Sequence, residues 1–128
     1  MDKVIPIIGT PKQGSYDLVQ WGTQLRILEG GNFSAQAIRT VGRLHELVKT
    51  TPVYFQEHLK SEAEPDFNQE QEDSYGKRNP YDWASQLRAM IRMDIYRGKT
   101  MAELRSMIKA QLLVIVGVQD HMVTPEIY

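Results

Sequence analysis

Two apolar runs at opposite ends of the chain, Val4-Ile5-Pro6-Ile7-Ile8-Gly9 and Leu112-Leu113-Val114-Ile115-Val116-Gly117, limit what it can fold into. Neither alternates polar with apolar residues, and both end in glycine. A strand that is apolar on both faces belongs inside a sheet with a layer on each side, as in a parallel sheet flanked by helices. Periodicity alone does not separate such a run from a buried helix, but short length and β-branched content favour strand.

Between the runs the pattern is helical. Ser15 is a candidate N-cap for a helix to about Glu29, with Leu18, Trp21, Leu25 and Leu28 on one stripe and Gly30-Gly31 as its stop. Ser34 to about Lys49 carries Ile38, Val41, Leu44 and Val48 at helical spacing. Thr51-Pro52 and Asn79-Pro80 are two further helix starts, because proline at the first helical position gives up no hydrogen bond. The second of these opens a helix bearing Trp83, Leu87, Met90 and Ile91, whose stripe Asp94 would continue. Thr100 and Glu103 form a capping box for a helix with Met101, Leu104 and Ile108 facing inward.

Residues 61–79 hold six acids (Glu62, Glu64, Asp66, Glu70, Glu72 and Asp73), with no basic residue until Lys77. Too little apolar surface is present there to order a segment, so a solvated, flexible acidic loop is expected. The resulting order is strand, about five helices, strand, an α/β chain with residues 1–14 as core strand and loop, 15–109 as a helical region and 110–128 as core strand and following loop. If the strands are parallel neighbours, the loops after both lie at the same end of the sheet, where open α/β folds keep their ligand crevice. Two such strands cannot make a stable sheet alone. Thr124-Pro125-Glu126 also reads as a helix start close to the end of the chain. The pattern predicts either a piece of a larger sheet protein or strand edges that pair with another copy.

Composition removes several chemistries. With 15 Lys+Arg against 16 Asp+Glu, the net charge of −1 offers no basic field for a nucleic-acid backbone. The absence of cysteine excludes disulfides, thiolate metal sites and a cysteine nucleophile. No stretch reads as a signal or membrane segment, and a cytoplasmic protein is expected, without nucleic-acid or membrane partners.

The most informative stretch is LLVIVGVQDHMVTP, from Leu112 to Pro125. An apolar strand followed by Gly-x-x-Asp places Asp120 in the turn beyond the strand, where a carboxylate can accept a histidine Nδ1–H and fix its tautomer. This stretch resembles the seventh strand and acid loop of the α/β-hydrolase fold, in wording closest to the homoserine O-acetyltransferase-like branch. DKVIPIIGTP followed by SYDLVQW is similar to that branch's sixth strand and cap entry, and NPYDWASQLRAMIRMDI to its late cap helix. The resemblance implies a partial α/β-hydrolase fold: two parallel strands flanking an excursion of about five cap helices.

It also implies acyl transfer by a serine nucleophile through an acyl-enzyme, with Asp120 as the triad acid and a small-molecule ester or acyl donor and acceptor as partners. Acetyl-CoA would be the donor of a transferase; no other cofactor and no metal is implied. None of Ser15, Ser34, Ser61, Ser74, Ser85 and Ser106 sits in a Gly-x-Ser-x-Gly elbow, so the chain is expected to be a central fragment, inactive alone. A complementing fragment or a homodimer would then be its protein partner. Arg88 and Asp94 resemble cap residues that approach the acyl acceptor in that branch. The alternative for that pair is a salt bridge tying the cap to the core. Tyr16, Asp17 and Trp21 begin the cap and are candidates to line a substrate tunnel, while a Trp on a helical stripe also suits a core. His121 adjoins Asp120 and reads as a supporting rather than catalytic group, and His45 and His58 lack metal-ligand spacing. The competing class is a non-enzymatic helical interaction module that dimerises through its strand edges.

Overall fold

A computed structural model describes residues 3–7, 9–120 and 122–123 of the 128-residue chain. The element order is β1 (Lys3–Val4), α1 (Ser15–Gly30), α2 (Ala35–Lys49), α3 (Pro52–His58), a 3₁₀ turn (Ser61–Ala63), α4 (Glu64–Gly76), α5 (Pro80–Arg92), α6 (Met101–Met107) and β2 (Gln111–Leu112).

The strands are parallel neighbours, as expected, with Lys3 opposite Gln111 and Val4 opposite Leu112. Pairing continues as Ile7 against Ile115. Leu113 N–H donates to Val4 C=O at 3.1 Å and Ile115 N–H to Pro6 C=O at 3.0 Å. Pro6 has no N–H of its own to donate, so the ladder passes through it by its carbonyl alone.

The apolar side chains of this pair are not covered within the described residues. Ile7 is 65 % exposed and Leu113 58 %, and Ile5, Leu112, Val114 and Ile115 are exposed as well. Continuous apolar character on both faces therefore marks strands that lack their covering layers here.

The core lies between the helices. Trp21 and Leu28 of α1, Ala37, Ile38 and Val41 of α2, and Ala84 and Leu87 of α5 form one buried cluster, with Leu25, Ile27, Phe33, Trp83, Met90 and Ile91 packed around it. The buried face of α1 is rotated from the expected stripe: Leu18 is exposed, and the line Asp17, Gln20, Trp21, Gln24, Leu28 is buried. In α6 only Leu104 is buried, while Met101 and Ile108 face solvent.

The caps follow the residue chemistry. Ser34 accepts Ala37 N–H, Thr51 accepts Tyr54 N–H, Asn79 accepts Tyr81 and Asp82 N–H, and Thr100 with Glu103 closes a capping box. At α1 the cap is Gly14 rather than Ser15, and Asp17 Oδ2 accepts the Gly14 N–H at 3.2 Å.

The acidic segment is not a loop. Residues 64–76 form α4, placed against α2 by Tyr75, which is buried, and by Arg43, whose guanidinium lies 3.4 Å from Glu72 and 3.8 Å from Glu64. Charge repulsion within the segment is offset by Arg43 on the neighbouring helix, a tertiary effect that composition does not register. Asp94 also departs from expectation. The helix ends at Arg92, and Asp94 lies beyond it in an extended segment that bridges to Lys12. The helix start expected at Thr124-Pro125-Glu126 lies outside the described residues.

Candidate active site at the acid loop

Asp120 occupies the turn after the second apolar run. Its N–H donates to Gly117 C=O at 3.1 Å, and its Oδ1 accepts the N–H groups of Met122 and Val123, each at 2.9 Å. A Cβ at residue 117 would lie 3.3 Å from Asp120 Cβ, a tight approach that a larger residue meets only if the turn gives by a few tenths of an ångström. Oδ2 makes no hydrogen bond among the described residues, which leaves one oxygen of a carboxylate of fixed orientation available to a partner. The sequence places this acid by the strand-then-turn pattern, and the backbone hydrogen bonds supply the orientation. His121 lies outside the described residues.

The first turn of α1 faces the same loop. Asp17 is 1 % exposed. Burial pushes its carboxyl above the usual carboxylate range, the charge of Asp120 adds to this, and hydrogen bonds from Gly14 N–H and the Gln20 amide oppose it. The two acids are therefore close enough to sense each other. Gln13 and Gln20 are also buried, and each leaves its Oε1 without a hydrogen bond among the described residues. Buried acceptors of that kind ordinarily have partners, which makes these two amide oxygens a local cost at this end of α1.

The remaining sequence candidates are dispersed. Asp94 Oδ2 is 3.3 Å from Lys12 Nζ, and its Oδ1 accepts Tyr96 N–H at 2.8 Å. Desolvation pulls its pKa up, but hydrogen bonds from Tyr96 N–H and Lys12, the Lys12 charge and the Arg97 N–H outweigh it and hold the carboxyl below its usual value. With Ile95 N–H donating to Pro11 C=O at 3.0 Å, this ties the segment after α5 to the loop after the first strand. Arg88 is elsewhere, 2.8 Å from Glu29 Oε1 near the carboxyl end of α1. Asp17 and Glu29 are twelve residues apart on one helix, which separates Arg88 from the acid loop by about 18 Å along the axis. Trp21 belongs to the core cluster, and Tyr16 is exposed.

A polar hub inside the cap was not expected. Trp83 Nε1–H donates to Gln24 Oε1 at 3.2 Å, Gln24 Nε2 lies 3.5 Å from His45 Nδ1, and Tyr75 O–H donates to Glu46 Oε1 at 3.1 Å. The rings of His45, Tyr75 and Trp83 meet edge-on or tilted at 5.3 to 6.0 Å, and the Arg78 guanidinium lies over Tyr75 and Trp83. Burial, then the Glu46 charge and hydrogen bond, push the Tyr75 hydroxyl up to about 12. The overlooked signal is spacing: Glu46 lies four residues after Gly42 and eight after Ile38, on a buried line of α2.

Beside the acid loop lies an open groove of about 690 Å³ between the end of α2, α3, Phe67 of α4 and Gln119. No group of three or more His, Cys, Asp or Glu side chains that could hold a metal ion occurs among the described residues. No helix there is long and apolar enough to cross a membrane.

A parallel strand pair joined by one long helical excursion, with an acid in the turn after its second strand, defines part of a capped α/β protein. In particular, the chain shares its fold with the crystal structure of homoserine O-acetyltransferase from Staphylococcus aureus, an α/β-hydrolase-fold protein, at a TM-score of 0.76 and 16 % identity. The match covers 98 % of this chain and 38 % of that one. This chain accordingly has a partial α/β-hydrolase fold, with two parallel strands, a helical cap and six α-helices among the described residues, where about five were expected. No family model matches the sequence, and no curated protein matches it.

Proposed function

We propose that the chain forms the cap and acid-bearing part of an acyltransferase or ester hydrolase, with Asp120 orienting a catalytic histidine. In this reading the histidine activates a serine that attacks an acyl donor, and the acyl-enzyme passes its acyl group to a hydroxyl acceptor or to water. The nucleophile, the histidine and the oxyanion donors belong to the remainder of the fold, and this chain alone turns over no ester. The observation that carries the reading is the Asp120 turn, with one carboxylate oxygen held by two backbone N–H groups and the other open, on a strand pair that shares the fold of a homoserine O-acetyltransferase. Acetyl-CoA as donor and a cytoplasmic location are part of this proposal.

Serine-directed labelling tests it. A tagged form of the chain is recovered from its native host and treated with a fluorophosphonate probe, alongside the same chain produced alone. The expected label falls on a serine of polypeptide continuous with the chain or bound to it, and none falls on the 128 residues alone. Asp120→Asn should slow labelling by at least 100-fold, since the loss of a triad acid lowers rate by about 10⁴. Labelling of the isolated chain on one of its own serines, or native material that is a discrete homodimer without a reactive serine, overturns the proposal and favours the interaction module.

A further inference from the structure

The groove beside the acid loop has one aromatic wall. Tyr54 and His58 stack with ring centroids 4.2 Å apart, and Phe55 meets Phe67 edge-on at 5.9 Å. Leu59 completes the apolar side, and Gln119, one residue before Asp120, closes the other. A volume of about 690 Å³ is within the range of small-molecule sites.

Charge is nearly absent from the lining in a usable form. Lys49 Nζ is 2.6 Å from Glu46 Oε1, so that cation is already matched. His58 Nδ1 lies 3.0 Å from Tyr54 C=O; a carbonyl only accepts, so Nδ1 donates there and is not free for a guest. The guanidinium that could bind a carboxylate, Arg88, is paired with Glu29 at the far end of α1.

Helix α3 forms one side of the groove. No residue of α3 is buried, and the extended residues Thr50, Thr51 and Leu59 bound it on either side. A second open groove, of about 680 Å³, shares Phe55 and Leu59 with the first and includes Leu44 and Leu47 of α2. Helix α3 thus stands between two open spaces.

We propose that the groove between α3 and the acid loop binds the uncharged apolar part of the substrate, an acyl chain or aryl group. This rests on the acyl-transfer reading above and specifies its substrate: a bulky apolar acyl or aryl compound rather than a small zwitterionic amino acid. Tyr54, Phe55, Leu59 and Phe67 contact the guest, and Gln119 sets its distance from Asp120.

The test is binding, which needs no turnover. The full ¹⁵N-labelled chain is titrated with 4-phenylbutyramide and, separately, with L-homoserine, following backbone amide shifts. The amide is expected to move the signals of Thr51, Leu59 and Gln119 saturably, with an affinity at least tenfold above that for L-homoserine. Tyr54→Ala should weaken binding at least threefold. His58→Ala, an exposed position on the same wall, serves as a second variant with the same expectation. L-homoserine binding at Gln119 as tightly as the amide, amide shifts confined to Leu113 and Val114 on the bare strands, or two variants of unchanged affinity each overturn it. Failure here with serine labelling intact would leave the acyl-transfer reading standing. Binding here without a labelled serine would remove that reading and keep the groove.

Discussion

Gly42 of α2 faces the Tyr75 ring so closely that a Cβ would lie 2.3 Å from Tyr75 Cγ. Gly42→Ala is therefore expected to destabilise the cap by about 1 to 3 kcal/mol, the usual cost of overpacking, and urea denaturation will show it as a lowered midpoint. Arg88→Ala should change stability by less than about 1 kcal/mol, because the Glu29 pair it breaks is exposed. His45 makes the pH prediction. Burial first, then the Lys49 and Arg78 charges, lower its pKa below 6.5, against an opposing pull from Glu46. Trp83 is a pure donor, which turns the Gln24 oxygen toward it and the Gln24 amide N–H toward His45, and this favours the unprotonated Nδ1. With the folded pKa below the unfolded one, the unfolded state takes up the proton first. Stability is complete above pH 6.5 and declines as pH falls through 6.5 toward the lowered folded value, at no more than about 1.4 kcal/mol per pH unit. Melting curves from pH 7.5 to 5 check this, and His45→Phe should flatten the dependence across that window. At this scale the sequence placed Asp120 in the turn after the second apolar run but did not set the orientation of its carboxylate. It also offered Trp21 and Arg88 as substrate-side candidates, with a core position and a salt bridge as their alternatives; Trp21 lies in the core and Arg88 pairs with Glu29, an outcome set by the packing of α1 against α5.

Helix α4 is the element whose existence depends most on its neighbours. Its sequence, EPDFNQEQEDSYG, carries five acids and buries only Tyr75. Tyr75→Ala removes the ring that fills the space over Gly42 and the hydroxyl that donates to Glu46, and it should cost about 3 to 5 kcal/mol. Amide hydrogen exchange should show α4 losing protection well before α1, α2 and α5. The other helices were legible because their signals are local: a cap residue, a proline at the first position, an apolar repeat. The rotation of the α1 stripe was not, since a helix packed on two partners, α2 and α5, can bury polar residues such as Gln24 when those partners supply hydrogen bonds.

On the scale of the whole molecule, the cap has its own core and the strand pair does not. Exposed Ile5, Ile7, Leu112, Leu113, Val114 and Ile115 form an apolar surface that a stable protein covers. The isolated chain is expected to bind an apolar dye such as ANS and to self-associate with rising concentration. Ile7→Thr together with Leu113→Thr should reduce both without lowering the helical circular dichroism, whereas equal dye binding before and after the substitutions would show that the exposed surface lies elsewhere. The sequence by itself determined that the chain has two buried-type strands, a helical excursion between them, and an acid in the turn after the second. Those features depend on residues close together in the chain: branched apolar runs, caps, and a glycine three positions before Asp120. Only the tertiary structure decided that the acidic segment is a helix, that Asp94 ties to Lys12 while Arg88 ties to Glu29, and that an aromatic groove stands beside the acid loop. Each of these depends on a charge or a ring brought from a distant part of the chain, and local spacing carries no record of that distance.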